Sequence, residues 1–395
     1  MKRVLLITPM LHQGGFERIC VMTARLLQKD YEVFIAVFSL EDIAYDISGL
    51  NVTNLNLPSR QGKVGKILNV LRRCRELSKL QKKLKIDVSY SFGTTANIAN
   101  ALSFGSKKKI SACHSFEEIK EAGYMKLICK NTDKVLCCSK KMTDLARASY
   151  GSEKIQTLWN PCDTEAVLEQ SSLAPDEDIS FFRSSDKMLV TMGREDDVKG
   201  FWHLLKIFRK INEAEPQTKL AIIGDGDFKE YHKLAGELAI QDKVLFTGLK
   251  KNPFPYLRES DVYLLTSLSE GLPNALVESL ALSLPIVSAN CLSGPAEILN
   301  EDWKNAELKK EVFLADFGIL SPPLDEKKDF KVMWNSEDET DIWLEESEEL
   351  FAQAVLLLLH DRGLYERYQK KAAKRAADFS KEAYLRGLTA CLNSL

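Results

Sequence analysis

The stretch Leu265-Thr266-Ser267-Leu268-Ser269-Glu270-Gly271-Leu272-Pro273-Asn274-Ala275-Leu276-Val277-Glu278 decides the fold. The apolar run that ends at Thr266 reads as a buried strand, and a polar loop follows it. Pro273 has the preset φ of a first helical turn, so the next residues open a helix. This is one βα unit, with its loop at the carboxyl end of the strand, where open parallel sheets bind ligands. Outward from it the alternation repeats. Met188–Met192, Leu220–Gly224, Val244–Thr247, Val262–Thr266 and Ile286–Ala289 read as strands. In the first half the strand candidates are Val4–Thr8, Val33–Phe38, Asp87–Ser91, Ile110–Cys113, Val135–Cys138 and Ile155–Trp159. Amphipathic segments lie between most of them, which predicts an α/β protein with doubly wound parallel sheets. The polar, aperiodic stretch Gln170 to Asp186 reads as a domain edge. The expected organisation is two Rossmann-like domains: 1–168, a linker 169–185, and 186–378.

The length of 395 residues suits two or three domains of roughly 150 residues each. With 45% hydrophobic and 28% charged residues, the composition excludes disorder, collagen-like repeats and a disulfide scaffold. No apolar run approaches the roughly 18 residues of a membrane span. Met1 to Thr8 reads as a strand rather than a signal peptide. Nine cysteines without a C-x-x-C or Cys/His metal spacing fit core packing in a reducing cytoplasm. The net charge of −2 argues against a dedicated nucleic-acid binder. Yet residues 1–168 carry 26 basic and 16 acidic side chains, and 169–395 carry 28 and 40. Halves of opposite sign point to domains with different partners.

Three loops at strand ends carry the chemistry. Gly14 and Gly15 join the first strand to a helix. Paired glycines permit positive φ and close approach of a ligand, and the helix N-terminus offers N–H groups to an anion. A tight turn alone also accounts for them. The spacing is neither G-x-G-x-x-G nor a P-loop. Gly193-Arg194-Glu195-Asp196-Asp197-Val198-Lys199-Gly200 follows the first strand of the second half. Arg194 and Lys199 can converge on one anion across it, the first as a planar fork and the second as a point charge. A solvated loop balanced by its own acids is the plainer reading. In the third loop, Glu270 stands beside Gly271, Glu278 lies about one and a half turns into the helix, and the amides of Asn274 and Ala275 open that helix. Two such carboxylates can accept hydrogen bonds from sugar hydroxyls; a capped helix with two surface acids is the alternative.

Taken together, these motifs resemble the retaining glycosyltransferases of family 4, which have the GT-B fold: two Rossmann-like domains with a cleft between them. The E-x7-E element is Glu270-Gly271-Leu272-Pro273-Asn274-Ala275-Leu276-Val277-Glu278, with Gly193-Arg194…Lys199-Gly200 and the first glycine loop upstream. Asn290 to Ile298 is similar to the family's segment after that helix. The resemblance implies that Glu270 holds donor-sugar hydroxyls and that Glu278 binds the ribose. It implies that Arg194 and Lys199 bind the donor diphosphate, with Gly14 and Gly15 facing the reacting centre. Gly224, in Gly224-Asp225-Gly226, resembles the turn near the nucleotide. His114, at the end of a strand, matches a family histidine near the donor sugar, but Ser115 stands where the family often has Asp or Asn. The resemblance further implies a segment 379–395 that returns to the first domain, no metal or other cofactor, and a nucleotide-sugar donor as substrate.

Gly62 to Lys85 holds nine basic residues and one Glu. Val64, Ile67, Leu71, Cys74, Leu77, Leu80 and Leu84 recur at helical spacing and are expected to form one apolar face. Lys107, Lys108 and Lys109 lie in the same half. A basic amphipathic helix can rest on an anionic membrane, or simply pack its apolar face on the sheet. The acidic stretch Asp325 to Glu349, with Trp334 and Trp343, reads as a solvated insertion with local anchors. The expected protein is a cytoplasmic transferase, peripheral on the inner face of the plasma membrane. It moves a hexose or N-acetylhexosamine from a UDP-sugar to a saccharide or lipid-linked acceptor in bacterial surface-polysaccharide assembly. The rivals are a nucleotide-sugar 2-epimerase-like isomerase of GT-B fold and a non-catalytic nucleotide-sugar-binding protein.

Overall fold

Val, Ile and Leu dominate the strands because helices cover both faces of each sheet, leaving few strand positions in water. A computed structural model describes residues 1–12, 14–175, 179–183, 187–335 and 340–395. Its first sheet comprises β1 (Arg3–Thr8), β2 (Glu32–Val37), β3 (Asn51–Asn54), β4 (Val88–Phe92), β5 (Lys108–Cys113), β6 (Lys134–Cys137) and β7 (Ile155–Thr157). They lie in the order β3-β2-β1-β4-β5-β6-β7, every neighbouring pair parallel. The helix Gly15–Leu27 and the last helix, Lys381–Asn393, cover one face. Ile19, Leu27, Leu388 and Leu392 bury there with Val4, Leu6 and Ile35. The Tyr384 hydroxyl meets Thr23 Oγ1 at 2.8 Å between these helices. On the other face, Cys74 and Leu77 of the helix Lys63–Leu84 pack with Leu5, Ile7 and Phe38.

The second sheet comprises β8 (Lys187–Met192), β9 (Thr218–Ile223), β10 (Val244–Phe246), β11 (Val262–Leu265), β12 (Ile286–Ala289), β13 (Phe313–Leu314) and β14 (Ile319–Ser321). Their order is β10-β9-β8-β11-β12-β14-β13, parallel except for β13 against β14. Phe201, Leu205 and Phe208 of the helix Phe201–Ala214 bury with Leu189 and Ile222, and Phe351 and Val355 of the helix Glu346–His360 complete that core.

Sequence periodicity does not reveal β3, β13 and β14. Asn51–Asn54 is a half-exposed edge strand with one apolar residue, and the other two are three residues or shorter. A polar edge strand, and strands of two or three residues, leave no alternating signal.

The chain forms two compact units, Met1–Pro161 with Lys381–Leu395, and Cys162–Ser380. The expected boundary at 168 lies inside the second unit. There Asp163 caps the helix Thr164–Ser171 by accepting from the Ala166 N–H at 3.1 Å. That helix packs on Phe254–Arg258 and Asn274–Ala281. Of the proposed linker 169–185, residues 169–171 are therefore helical; 176–178 and 184–185 lie outside the described residues. At the other end, Phe379 and Ser380 stay with the second unit. Cys162 N–H donates to the Phe379 carbonyl at 2.8 Å, so the two chain crossings lie side by side. Redrawn on these boundaries, the charge division widens to 28 basic and 15 acidic residues in the first unit against 26 and 41 in the second.

The helix Lys63–Leu84 departs from the single apolar face expected of it. Positions 64 to 84 step by 3.3 residues on average, short of the 3.6 of a helical turn, so the stripe drifts by about 160° over its length. Cys74 and Leu77 are buried, whereas Val64, Ile67 and Leu71 face solvent. No helix among the described residues is long and apolar enough to cross a membrane.

Candidate functional site

In the second unit the strand order reverses between β8 and β11, and both charged loops leave the carboxyl ends of those two strands. This is the switch point at which a doubly wound sheet opens a crevice. The loops are tied to each other. Leu268 N–H donates to the Val198 carbonyl at 2.8 Å, and Thr266 Oγ1 donates to the Lys199 carbonyl at 3.0 Å. Gly200 sits there at φ +61, where a Cβ would strike the Thr266 carbonyl oxygen, so a left-handed turn and close backbone approach both require glycine.

These ties bring Lys199 and Glu270 together. Lys199 Nζ lies 2.6 Å from Glu270 Oε1, with the two side chains 24% and 13% exposed. The lysine stem runs along Gly193, where an added Cβ would meet Lys199 Cε at 3.1 Å. Arg194 is held differently. Its guanidinium pairs with Asp196 Oδ2 at 3.1 Å and is largely exposed. The two cations therefore do not share one anion here; each has its own carboxylate. Gly224 passes directly beneath this loop, and a Cβ there would collide with the Gly193 carbonyl. Glu195 N–H bonds the Asp225 carbonyl at 2.6 Å, and the Glu195 carboxylate accepts from Phe228 N–H at 2.9 Å, which joins the turn at 224–226 to the Arg194 loop.

Glu270 N–H donates to the Leu292 carbonyl at 2.8 Å, and Ser293 returns a bond from its N–H to the Glu270 carbonyl at 2.9 Å. Ser293 Oγ also donates to the Gly271 carbonyl at 2.9 Å. Gly294 follows at φ +97, packed so closely that a Cβ would meet Pro273 Cδ at 2.5 Å. The segment after the third loop thus holds Glu270, Gly271, Leu272 and Pro273 in place. Pro273 caps the helix Asn274–Ala281 rather than starting it, one residue earlier than expected. Asn274 and Ala275 open that helix, and Glu278 is buried in it. Below them, Tyr263 OH donates to the Met192 carbonyl at 3.3 Å. Burial raises the Tyr263 pKa, and the charges of Glu270 and Glu278 add to that rise.

In the first unit, β1 and β4 flank the switch point. Gly14 caps the helix Gly15–Leu27 in an extended conformation, φ −166, so the positive φ expected of the glycine pair is not used at Gly14. Space explains it instead: a Cβ on Gly14 would strike the Glu17 carboxylate. The Tyr45 hydroxyl accepts from Gly14 N–H at 2.9 Å and donates to its carbonyl at 2.7 Å. His114 leaves β5 stacked with Phe92, centroids 5.9 Å apart, and with Phe16 at 6.4 Å. Its Nδ1 lies 3.2 Å from Asn160 Oδ1, so Nδ1 carries the proton and Nε2 keeps a lone pair. Nε2 is buried and has no partner among the described residues, and burial lowers the ring's pKa to about 4. The neutral ring can accept a hydrogen bond from a hydroxyl.

Ser115, the departure from the family pattern, caps the helix Phe116–Lys120 in a capping box with Glu118. The Glu118 carboxylate also accepts from His114 N–H at 2.7 Å, and its burial raises its pKa. The sequence reading missed this box, although Ser115-x-x-Glu118 has its spacing. Asn160 and Tyr45 carried no such signal, because each reaches the site from a distant segment, and Phe16, though next to Gly15, meets His114 only through the fold. Among the described residues no cluster of three or more His, Cys, Asp or Glu is arranged to hold a metal ion.

Two family models match the chain: Glycosyltransferase Family 4 over residues 13–166, and Glycosyl transferases group 1 over 175–311. An uncharacterized glycosyltransferase of Methanocaldococcus jannaschii is 29% identical over 339 residues, covering 80% of this chain and 82% of that protein. The N-acetylgalactosamine-N,N'-diacetylbacillosaminyl-diphospho-undecaprenol 4-alpha-N-acetylgalactosaminyltransferase of Campylobacter jejuni is 26% identical over 389 residues, covering 94% of each chain. The crystal structure of Anabaena HepE in complex with UDP superposes with a TM-score of 0.74 at 15% identity, covering the whole of both chains. One model covers most of the first unit and the other residues 175–311 of the second, and the chain is a GT-B, family 4-like glycosyltransferase.

Proposed function

We propose that the protein is a retaining transferase that moves a hexose or N-acetylhexosamine from a UDP-sugar to a lipid-linked saccharide during surface-polysaccharide assembly. The observation that carries this reading is the Lys199–Glu270 pair at the switch point of the second sheet. One loop supplies a cation for a leaving phosphate, the other a carboxylate for sugar hydroxyls, and their mutual bonds fix the spacing. The UDP complex of HepE supports a uridine nucleotide, and the Campylobacter relative's diphospho-undecaprenol substrate supports a lipid-linked acceptor. The basic segment 62–85 extends the same reading to an anionic membrane surface.

Transfer breaks the bond between the anomeric carbon and the β-phosphate oxygen, so negative charge grows on the nucleotide diphosphate. Arg194, Lys199 and the amides of Asn274 and Ala275 would stabilise that charge, at about 3 kcal/mol for each well-placed group. Glu270 would hold donor hydroxyls and Glu278 the ribose. Gly14, Gly15 and Gly224 would present backbone to the donor, with Glu17 and the Gly193 carbonyl filling the space a Cβ on Gly14 or Gly224 would need, and neutral His114 would accept from a sugar hydroxyl through Nε2. The acceptor oxygen attacks the anomeric carbon from the face the diphosphate leaves, and its proton passes to a leaving phosphate oxygen. The product keeps the anomeric configuration.

Titration calorimetry with UDP-, GDP- and ADP-sugars, followed by product analysis with and without acceptor, tests the reading. A UDP-sugar should bind, and an acceptor-dependent glycoside with the donor's anomeric configuration should form. Conversion of the UDP-sugar to another UDP-sugar without acceptor would instead identify an isomerase.

A further inference from the structure

The solvent-facing side of the helix Lys63–Leu84 is divided along its length. Positions 64, 67, 68 and 71 form one stripe at the spacing i, i+3, i+4, i+7. Val64, Ile67, Leu68 and Leu71 are 72%, 63%, 49% and 59% exposed, four large apolar side chains in water within two turns. The same stripe continues through positions 75, 79 and 82, where Arg75, Lys79 and Lys82 are exposed. Arg72 and Lys83 flank it, and the single acid of the helix, Glu76, is paired with Lys79 at 2.7 Å. One face is thus apolar near the N-terminal end and cationic beyond it.

This face is not a spare part of the core. The sheet-facing side is satisfied by other residues: Cys74 and Leu77 are buried, and Val70, Leu80 and Leu84 pack on the same cluster. Asn69 Nδ2 donates to the Pro58 carbonyl at 2.8 Å, and Arg73 donates twice to the Leu57 carbonyl, at 2.7 and 3.1 Å. The helix is anchored on one side and left apolar on another.

We infer that this divided face is an oblique docking surface for an anionic lipid bilayer. Val64, Ile67, Leu68 and Leu71 enter the boundary between headgroups and acyl chains. Arg72, Arg75, Lys79, Lys82 and Lys83 stay at the level of the lipid phosphates. Apolar residues alone would suit many partners; the cationic continuation selects an anionic one. A second copy of this chain is disfavoured, because a shared face would bring two sets of basic residues together. A wholly basic face would bind only through charge and release in salt, whereas four inserted apolar side chains add a salt-independent part. The proposal rests on the membrane-bound acceptor reading above and specifies the side chains and their depth.

Flotation of the full chain with phosphatidylglycerol or phosphatidylcholine vesicles tests it. The wild type is expected to float with the first and not the second. The double variant Ile67→Asn, Leu71→Asn should lose binding by about tenfold or more at every salt concentration. Arg75→Gln with Lys79→Gln and Lys82→Gln should lose it mainly at low salt. Hydrogen exchange in the presence of vesicles should protect 64–72. These positions are exposed, so the variants should fold and retain UDP-sugar binding and transfer to a water-soluble acceptor. Failure of the wild type to float at low salt, or wild-type flotation of the Ile67, Leu71 variant, would overturn the proposal. A concentration-dependent dimer abolished by that variant would also overturn it, in favour of a second copy. Flotation as expected without glycosyl transfer would leave the docking face standing and reject the enzymatic reading instead.

Discussion

Substituting Lys199 by Met removes the cation of the 2.6 Å pair with Glu270 and keeps most of the stem that lies along Gly193. Two unit charges about 4 Å apart at an effective dielectric near 20 attract by roughly 4 kcal/mol, which bounds the interaction of Lys199 with a leaving phosphate. Glu270 competes for the same ammonium, so the net catalytic contribution falls to about 3 kcal/mol, or roughly 100-fold in rate. The loss should appear mainly in kcat, because the phosphate gains charge as its bond to the sugar breaks. The free protein should also be destabilised by about 1–2 kcal/mol, between the values for exposed and buried pairs, since Glu270 is left largely shielded without its partner.

The assay is acceptor-dependent UDP release at saturating donor, with urea unfolding alongside. Lys199→Arg restores the charge and should recover at least about tenfold of the loss, although a guanidinium fits the Gly193 track less well. Glu270→Gln should also be slow, and the double variant should be less impaired than the two losses combined, because each single change leaves the other partner misplaced. A Lys199→Met enzyme that folds normally and keeps kcat within about threefold of wild type would refute the reasoning, since even one partial charge contact in the transition state exceeds that.

Three further outcomes follow from other parts of the molecule. Burial lowers His114 to about 4, so the unfolded chain takes up that proton first as pH falls; stability should decline from about pH 6.5 toward pH 4, and His114→Gln should flatten that slope in pH-dependent urea unfolding. Gly224→Ala drives a Cβ into the Gly193 carbonyl and should cost about 1–3 kcal/mol with loss of donor binding by calorimetry, whereas Gly151→Ala, in open space at φ +59, should cost only about 1 kcal/mol and leave binding intact. His203→Ala breaks a buried 2.6 Å bond to Glu348 and should destabilise the second unit by about 3–5 kcal/mol in chemical denaturation, with Glu348→Gln milder because the amide can still bond the ring.

Strand-to-loop transitions made much of the fold legible. Every strand rich in Val, Ile or Leu at a sheet centre coincides with an apolar run, and the Glu270 loop announces its helix through Pro273. What stayed hidden depends on contacts between distant segments. The Lys199–Glu270 pair joins residues 71 positions apart, and Asn160 reaches His114 across 46, with no local pattern to reveal either. The helix over 63–84 shows a subtler limit. Its apolar spacing was visible, but whether one stripe or two results depends on cumulative drift and on which turns the sheet covers. Gly14 illustrates the reverse case: the residue type was informative, while its use, making space for Glu17 rather than taking a positive φ, is set by the neighbouring turn.

The acidic segment Asp325 to Glu349 acquires a structural role from the residues it meets. His203, on the helix that begins just after Lys199, places Nδ1 2.6 Å from Glu348 Oε1 and Nε2 2.9 Å from the Asp325 carbonyl. A carbonyl can only accept, so Nε2 is the donor to Asp325. Lys210 pairs with Asp341 at 2.7 Å farther along the same helix, and the Arg209 guanidinium lies over the Trp334 ring. Lys328 reaches Asp197, inside the loop between Arg194 and Lys199, at 2.8 Å. The segment therefore grips the helix Phe201–Ala214 along its outer side and touches the very loop that this helix carries; residues 336–339 lie outside the described residues. Two of its acids, Asp341 and Glu348, answer a lysine and a histidine on that helix, so part of the negative charge of the second unit serves to hold its positive site in place, and need not signal a cationic partner.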